Sequence, residues 1–207
     1  MSDIEDELTA GYRRFRADHW PTARAEYESL ATKGQKPHTL IVACSDSRAD
    51  PALIFDAKPG ELFVVRNVAN LVPPYEPDGK LHGVSAALEF GVKVLGVKRI
   101  VVMGHAHCGG VNAMIHGAPD IVADFVGPWI AQGTPVVQHV AETVAPDQLE
   151  RAAEEAIVRL SIRNLRTFPW IAEREARGEL QLSGLHFGIA EGALTALTDK
   201  ARFEPLA

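Results

Sequence analysis

Three short runs of apolar, largely β-branched residues place the tightest limit on the fold of this chain. They span Thr39–Ala43, Leu62–Val65 and Arg99–Met103. Such runs are typical of strands that are buried on both faces of a sheet. Apolar residues at helical spacing over Gly83–Leu95 separate the last two runs. The sequence therefore predicts an α/β fold, with a mainly parallel β-sheet core flanked by helices.

An amphipathic helical arm is predicted ahead of this core. Apolar residues recur at helical spacing through Leu8, Tyr12 and Phe15, and a second helical pattern follows Pro21. Such an arm either packs on its own domain or crosses onto a second subunit, and the pattern does not choose between the two. The remaining predicted elements are helices over 147–166 and 169–177 and a last strand over 180–187, followed by a weakly patterned tail.

The length of the chain fits one domain. With 207 residues, of which 46% are hydrophobic, it can bury a substantial core. We therefore predict a single domain over 1–207, divided into the helical arm at 1–34 and the α/β core at 35–207.

The charge balance limits the classes of partner. A formal net charge of -6 provides no basic surface for nucleic acid or for an anionic membrane, so small solutes or other protein subunits are favoured. The amino terminus is acidic, unlike a secretory signal, and no apolar stretch is long enough to span a bilayer. We expect a soluble, cytoplasmic protein.

Both cysteines of the chain lie in polar clusters that follow predicted strands. Cys44 follows the first strand, and Cys108 lies three residues after His105. Two thiolates and one imidazole can hold a soft divalent ion and leave its fourth tetrahedral position to water. Each cysteine alone is more often a small core residue. Spacing does not choose between His105 and His107 as the third ligand.

Further polar residues accompany each cysteine. Asp46 and Arg48 follow Cys44 at intervals of two, so in an extended segment all three side chains point the same way; a mere surface ion pair is the alternative. Gly109 and Gly110 follow Cys108 at a predicted helix start, where glycine lets the backbone approach closely and free N–H groups favour a thiolate.

These residues carry a resemblance to a known family. Cys44-Ser45-Asp46-Ser47-Arg48, followed by His105-Ala106-His107-Cys108, resembles the paired signature of the β-class carbonic anhydrases. The similarity runs from Gln35 to Asn112 and includes Pro59–Asn70, with a weaker echo over Gly184–Gly192.

The resemblance implies a zinc enzyme that hydrates carbon dioxide reversibly to bicarbonate and a proton by means of zinc-bound hydroxide. It implies one Zn²⁺ per subunit, held by Cys44, His105 and Cys108. Asp46 and Arg48 would form the catalytic dyad. The implied partners are carbon dioxide and bicarbonate, together with a second copy of the chain in a homodimer or a dimer of dimers joined through the arm.

The substrate pocket is also implied by the resemblance. Gln35 matches a glutamine with which the plant-like branch binds substrate, and Phe63 matches an aromatic residue of the same pocket, which lies at a subunit interface in the family. Val68 and Gly109 are predicted to line it as well. Three positions depart from common family patterns: Phe90 stands where many members carry tyrosine, and Ile41 and Phe187 stand where the bicarbonate-regulated branch has tryptophan and tyrosine, which predicts that this regulation is absent.

Other hypotheses remain open from the sequence. The same ligand set suits a hydrolase of carbonyl sulfide or carbon disulfide. A noncatalytic zinc module would need no Asp46, Arg48 or Gln35, and a redox role would require the two cysteines to pair. His82 and His107 are candidate proton shuttles.

Overall fold

The computed structural model describes residues 3–206, with side chains described from residue 6 onward. Met1, Ser2 and Ala207, which the predicted domain includes, lie outside the described residues. The chain forms two compact units that divide between Lys36 and Pro37. The predicted boundary between arm and core, at 34 and 35, stays a prediction.

The first unit is helical, as the sequence predicts. Helix α1 (Asp3–Arg14) and helix α2 (Trp20–Lys33) are joined by a π-helical turn over Phe15–His19, in which the Trp20 N–H donates to the Phe15 carbonyl. Pro21 lies just after this turn. Because proline has no N–H to donate, a regular α-helix would lose a hydrogen bond at that residue, and the wider π-helical turn comes immediately before it. The Phe15 ring packs against those of Trp20 and Tyr27, with both centroid distances 6.2 Å.

The second unit is built on one six-stranded sheet with the strand order β2-β1-β3-β4-β5-β6. The first four strands in that order are parallel, and the last two pairs are antiparallel. The mainly parallel α/β fold predicted from the sequence is confirmed. The strands are β1 (Thr39–Cys44), β2 (Leu62–Asn67), β3 (Arg99–His105), β4 (Gln181–Gly188), β5 (Ala193–Leu197) and β6 (Phe203–Pro205).

Helices connect and cover these strands. The predicted helix over 83–95 begins as an α-helix and continues as a π-helical turn over Phe90–Leu95. The two helices predicted near the carboxyl end are present within two residues of their predicted bounds. The helices are α3 (Pro51–Ile54), α4 (Gly83–Glu89), α5 (Gly109–His116), α6 (Val126–Ala131), α7 (Thr134–Ala141), α8 (Leu149–Leu165) and α9 (Pro169–Ala176).

The core of the second unit lies mainly between the sheet and helices α4, α8 and α9. Alternate residues of β1 and β3, such as Leu40 and Ile100, are buried there with Leu88, Val158 and Phe168. The opposite face carries a smaller buried cluster that includes Ile41 and Val101. Because both faces of β1 and β3 are buried, their sequences are apolar throughout rather than alternating.

The topology determines where the polar clusters meet. β1 and β3 are neighbours in the sheet, with Ala43 opposite Met103, so Cys44 and His105 lie at adjacent carboxyl ends. After β1 the chain leads to β2 on one side, and after β3 it leads to β4 on the other. Such a switch point opens a crevice at the carboxyl ends of the strands, where α/β proteins bind ligands.

The carboxyl-terminal tail corrects one expectation. It forms β5 and β6, where the sequence predicts only a weakly patterned tail. β5 contains a single β-branched residue, Thr195, so its own sequence gives a weak strand signal, and pairing with β4 supplies the rest. Among residues 3–206, no helix is both long enough and apolar enough to cross a bilayer.

A candidate metal centre

Three buried side chains converge at the crevice between β1 and β3. Cys44, His105 and Cys108 each offer one ligand atom, and these atoms lie within 4.8 Å of one another. The two sulfur atoms are 3.9 Å apart. Cys44 ends β1, His105 ends β3, and Cys108 immediately precedes α5. The structure thus brings together the three predicted ligands, with His105 rather than His107 beside the sulfurs.

The His105 ring is oriented by its own turn. Its Nδ1 donates to the Ala106 carbonyl at 2.9 Å, which leaves Nε2 as the acceptor nitrogen. Nε2 is buried and has no hydrogen-bond partner among the described residues. A buried nitrogen lone pair without a partner is costly, and a metal ion next to the two sulfurs would satisfy it.

The two thiol groups of Cys44 and Cys108 share a hydrogen bond that favours ionisation of one of them. The hydrogen bond with Cys108 holds the pKa of the Cys44 thiol well below its ordinary value, and hydrogen bonds from the backbone N–H groups of Asp46 and Ala69 lower it further. The same shared proton raises the pKa of Cys108, and burial raises it further. One thiolate and one thiol therefore face each other near neutral pH, and a divalent ion would displace the remaining proton.

The spacing of these donors fits a tetrahedral ion. Two sulfurs bound at about 2.3 Å to one ion at the tetrahedral angle lie about 3.8 Å apart. The observed 3.9 Å matches this value without rearrangement. Thiolate and imidazole ligands in a tetrahedral set favour zinc over magnesium or calcium, which prefer oxygen.

Arg48 holds Asp46 at the edge of the cluster. Asp46 Oδ1 accepts from Arg48 Nε at 3.0 Å, and Oδ2 accepts from a terminal Arg48 nitrogen at 2.7 Å. These bonds hold the pKa of the Asp46 carboxyl well below its usual range. Oδ2 lies 4.0 Å from His105 Nε2, so the carboxylate faces the same space as the ligand atoms.

The path from Cys44 to Arg48 corrects another expectation. The predicted extended segment is a turn, in which the Ala49 N–H donates to the Asp46 carbonyl and Asp46 Oδ1 also accepts from the Arg48 backbone N–H. Asp residues favour such turns because their side chain replaces a backbone acceptor. The side chains of Asp46 and Arg48 meet because of this turn rather than through strand alternation.

Arg66 belongs to the site, although no role for it is predicted from the sequence. It extends from β2 and donates to the carbonyl oxygens of Cys44 and Asp46 and, at 2.8 Å, to Asp50 Oδ2. One guanidinium thereby fixes the turn that carries a sulfur ligand and the carboxylate. The sequence feature that could have identified Arg66 is its position, a charged residue at the end of an apolar strand.

The loop after β2 closes the cluster on another side. Ala69 and Asn70 adopt left-handed conformations, with φ of 63° and 46°, which side chains larger than glycine rarely adopt. The Trp129 indole N–H supports this loop through the Val68 carbonyl at 2.8 Å. Val68 packs against the buried cluster that includes Cys44 and Cys108, and its role in a substrate pocket stays a prediction.

The two glycines at the start of α5 differ in what they require. A Cβ on Gly110 would lie 2.7 Å from Val68 and 2.9 Å from the Cβ of Ala69, so only glycine fits there. A Cβ on Gly109 would meet nothing within 4 Å among the described residues. Close backbone approach thus explains Gly110, while Gly109 leaves open space beside Cys108.

Phe63, which the resemblance places in the substrate pocket, lies away from the three metal-ligand side chains of its own chain. Phe63 precedes Asn67, the residue opposite Cys44, by four positions on β2, a separation of about 13 Å along the strand. Its ring stacks on Phe90 at 6.0 Å, so both lie away from the cluster of their own chain. Gln35 belongs to the first unit, and its role stays a prediction.

The rings of the two candidate proton shuttles form hydrogen bonds with carboxylates outside the ligand cluster. The His107 ring bonds to Glu150 at 3.2 Å, and only its carbonyl, which accepts from Arg48, faces the site. His82 bonds to Asp78 at 2.7 Å. A shuttle role for either residue stays a prediction.

Comparison with known proteins gives consistent matches. A family model described as "Carbonic anhydrase" matches residues 39–194. A carbonic anhydrase of Pseudomonas aeruginosa is 39% identical over 208 residues, covering 98% of this chain and 90% of that protein. The solved β-carbonic anhydrase CcaA has a TM-score of 0.89 and 30% identity, covering 100% of this chain and 93% of the other. A tetrameric β-carbonic anhydrase of Sordaria macrospora has a TM-score of 0.69 and 29% identity, with coverages of 99% and 94%.

Proposed function

Because the chain belongs to the β-carbonic anhydrase family, we propose that it catalyses the reversible hydration of carbon dioxide to bicarbonate and a proton with one zinc ion per subunit. The observation that carries this proposal is the unpartnered Nε2 of His105 beside two sulfurs at tetrahedral spacing. A carboxylate held by an arginine lies at the same crevice. A purely structural metal site would need no such carboxylate.

Cys44, His105 and Cys108 would hold the ion. When bound, zinc acts as a Lewis acid that makes water a sufficient nucleophile near neutral pH. Three protein ligands, rather than four, are typical of catalytic zinc sites.

Asp46 would act as a hydrogen-bond acceptor for the attacking water. Its carboxylate is ionised at neutral pH because Arg48 holds its pKa low, so it accepts a hydrogen bond and does not donate one. That contact directs an oxygen lone pair toward the carbon atom of carbon dioxide. Arg48 would keep the carboxylate in this orientation through its forked pair, so neither group has to reorganise during the reaction.

The substrate pocket would combine apolar and polar contacts. Val68 and the open space at Gly109 would accept the small apolar substrate, and the Gln35 amide would donate a hydrogen bond to an oxygen of substrate or product. Phe63 lies far along β2 from the cluster of its own chain, so we propose that it serves the pocket of a second subunit. The tetrameric relative from Sordaria macrospora supports an oligomeric assembly, which we propose is a homodimer or a dimer of dimers. A cytoplasmic location stays a prediction of the sequence.

One experiment tests the proposal. Zinc content and the rate of carbon dioxide hydration are measured for the parent protein and for Cys108→Ser, with carbonyl sulfide and carbon disulfide as alternative substrates. We expect about one zinc per parent chain and fast hydration, with both reduced in the variant because a hydroxyl is a poor ligand for a soft ion. Zinc without hydration would point to a noncatalytic module. If the parent hydrolysed carbonyl sulfide or carbon disulfide faster than it hydrated carbon dioxide, one of those compounds would be the preferred substrate instead.

A further inference from the structure

A second pair of polar side chains is buried behind the metal centre. Glu154 on α8 and His186 on β4 are 3% and 2% exposed. His186 Nε2 and Glu154 Oε2 are 2.8 Å apart. Burying a carboxylate is expensive unless its oxygens are satisfied, and the catalytic steps proposed above do not use this pair.

The other oxygen of Glu154 reaches a metal ligand. Glu154 Oε1 accepts from the backbone N–H of Cys108 at 3.3 Å. Cys108 is the N-cap residue of α5, and its own side chain forms no capping hydrogen bond. Glu154 therefore ties the backbone of a sulfur ligand to α8, while His186 ties Glu154 to the sheet.

The turn that carries the ligands needs such support. Between His105 and Cys108 the chain passes through His107 in a left-handed conformation, with φ of 56°. Conformations of this kind persist only where the surroundings fix them. Ladder pairing holds the start of the turn, where the Ala106 N–H donates to the Phe187 carbonyl at 2.9 Å, and Glu154 holds its end.

We propose that Glu154 and His186 are positioning residues that hold Cys108 in the geometry needed to retain zinc. The inference rests on the proposed zinc site and adds a support that the ligand signature does not contain. Groups that orient metal ligands commonly change metal affinity 10- to 100-fold when they are removed. A purely structural role predicts lower stability instead, with zinc release unchanged as long as the protein is folded.

The test compares two substitutions of Glu154 with a control. In Glu154→Gln, the amide oxygen can accept from the Cys108 N–H and the amide NH₂ can donate to His186 in its other tautomer. In Glu154→Ala, both contacts are lost. Glu155→Gln is the matched control, since Glu155 neighbours Glu154 on α8 but pairs with Arg151 and Arg159 rather than with the turn that carries Cys108.

Two measurements are made at a temperature where all the proteins are folded, the first on zinc-loaded protein and the second on cobalt-substituted protein. The rate of zinc transfer to a coloured chelator should rise about 10-fold or more in Glu154→Ala, and stay within about twofold of the parent in Glu154→Gln and Glu155→Gln. In cobalt-substituted protein, the thiolate-to-cobalt absorption band should shift in Glu154→Ala alone. A folded Glu154→Ala with the parent's release rate and spectrum would overturn the proposal.

A second variant covers the case in which Glu154→Ala does not fold. His186→Leu removes the hydrogen bond to Glu154 but keeps an apolar body near Phe203, whose ring centroid lies 6.4 Å from that of His186. Zinc transfer should again accelerate several-fold, and a rate equal to that of the parent would contradict the positioning role. If the parent itself retains no zinc, it is the proposed function that fails, which is a separate result.

Discussion

Arg48 donates hydrogen bonds to both carboxylate oxygens of Asp46, with Nε 3.0 Å from Oδ1 and a terminal nitrogen 2.7 Å from Oδ2. The forked geometry fixes the plane of the carboxylate as well as its position. The side chain of Arg48 is half exposed while that of Asp46 is mostly buried, so the arginine acts from the solvent side.

Replacing Arg48 by alanine should separate metal binding from catalysis. Asp46 would lose its fork and be free to turn toward the metal ligands, so we expect Arg48→Ala to retain zinc but to lose about 100-fold or more in hydration rate. Stopped-flow kinetics and metal analysis check both. Arg166→Ala is the control, because Arg166 forms a similar forked pair with Glu175 away from the site. A near-normal rate for Arg48→Ala would remove the proposed dyad.

Arg66 should matter for stability as well as for activity. Arg66→Ala removes the donor to the Cys44 and Asp46 carbonyls and leaves Asp50 without its ion pair. Hydrogen bonds to charged groups contribute about 1.5–3 kcal/mol each, but Arg66 is partly exposed and water can replace some of the lost contacts, so we expect the free energy of unfolding to fall by only roughly 2–4 kcal/mol.

Urea denaturation measures this effect. The comparison is Arg99→Ala, where an exposed contact with Gln181 is lost, and a change within about 0.5 kcal/mol is expected. Equal effects in the two variants would mean that the Arg66 contacts do not hold the turn.

The two glycines at the start of α5 provide a matched pair. Gly110→Ala places a methyl group 2.7 Å from Val68 and 2.9 Å from Ala69, so the loop that supports Cys44 must shift. We expect a loss of about 1–3 kcal/mol in stability, with faster zinc loss. Gly109→Ala meets nothing within 4 Å and should change stability by less than about 1 kcal/mol. Thermal unfolding of both variants decides, and similar melting temperatures would argue against the close contact.

The hydration rate should rise from neutral to alkaline pH. Two thiolate ligands, Cys44 and Cys108, would cancel the double positive charge of zinc, so water activated there would have a higher pKa than the value of about 7 found with three neutral histidines. Asp46 adds no step in this range, because its pKa lies well below its ordinary value and it is already ionised. The logarithm of kcat/KM measured from pH 6 to pH 9 tests the rise, and a flat profile would contradict it.

Removal of zinc should destabilise the second unit. Without the ion, the buried Nε2 of His105 has no partner and the two sulfurs share a proton. We expect a chelator to lower the urea midpoint and added zinc to restore it, with about 1.4 kcal/mol for each tenfold excess of free zinc over its dissociation constant. Magnesium is the control, because hard ions prefer oxygen ligands. Recovery with magnesium would be inconsistent with a thiolate site.

The sequence was sufficient to predict those strands whose local residue pattern matches the structure that they form. β1 and β3 carry apolar runs rich in β-branched residues, and the parallel pairing alone brings their cysteine and histidine ends together. The strands β5 and β6 were not predicted, since a five-residue strand with one β-branched residue depends on its neighbour β4.

The missing parts of the site depend on distant contacts. Glu154 and His186 are 32 residues apart, and nothing near either one in the sequence predicts that the two share a hydrogen bond beneath Cys108. The contact between Asp46 and Arg48 was expected, but its cause is a turn that the alternation of side chains along a strand does not describe.

The connection between β2 and α4 has two parts with different freedom to vary. Its first residues are wedged between Gly110 and the Trp129 indole, and the Ala69 amide reaches the Cys44 sulfur, so inserting or deleting one residue there would displace a ligand. Its later residues, from Glu76 to Leu81, are exposed. Variants that differ in the length of this connection should therefore accumulate their changes after Tyr75, which makes that stretch the suitable place to graft a tag or a tether.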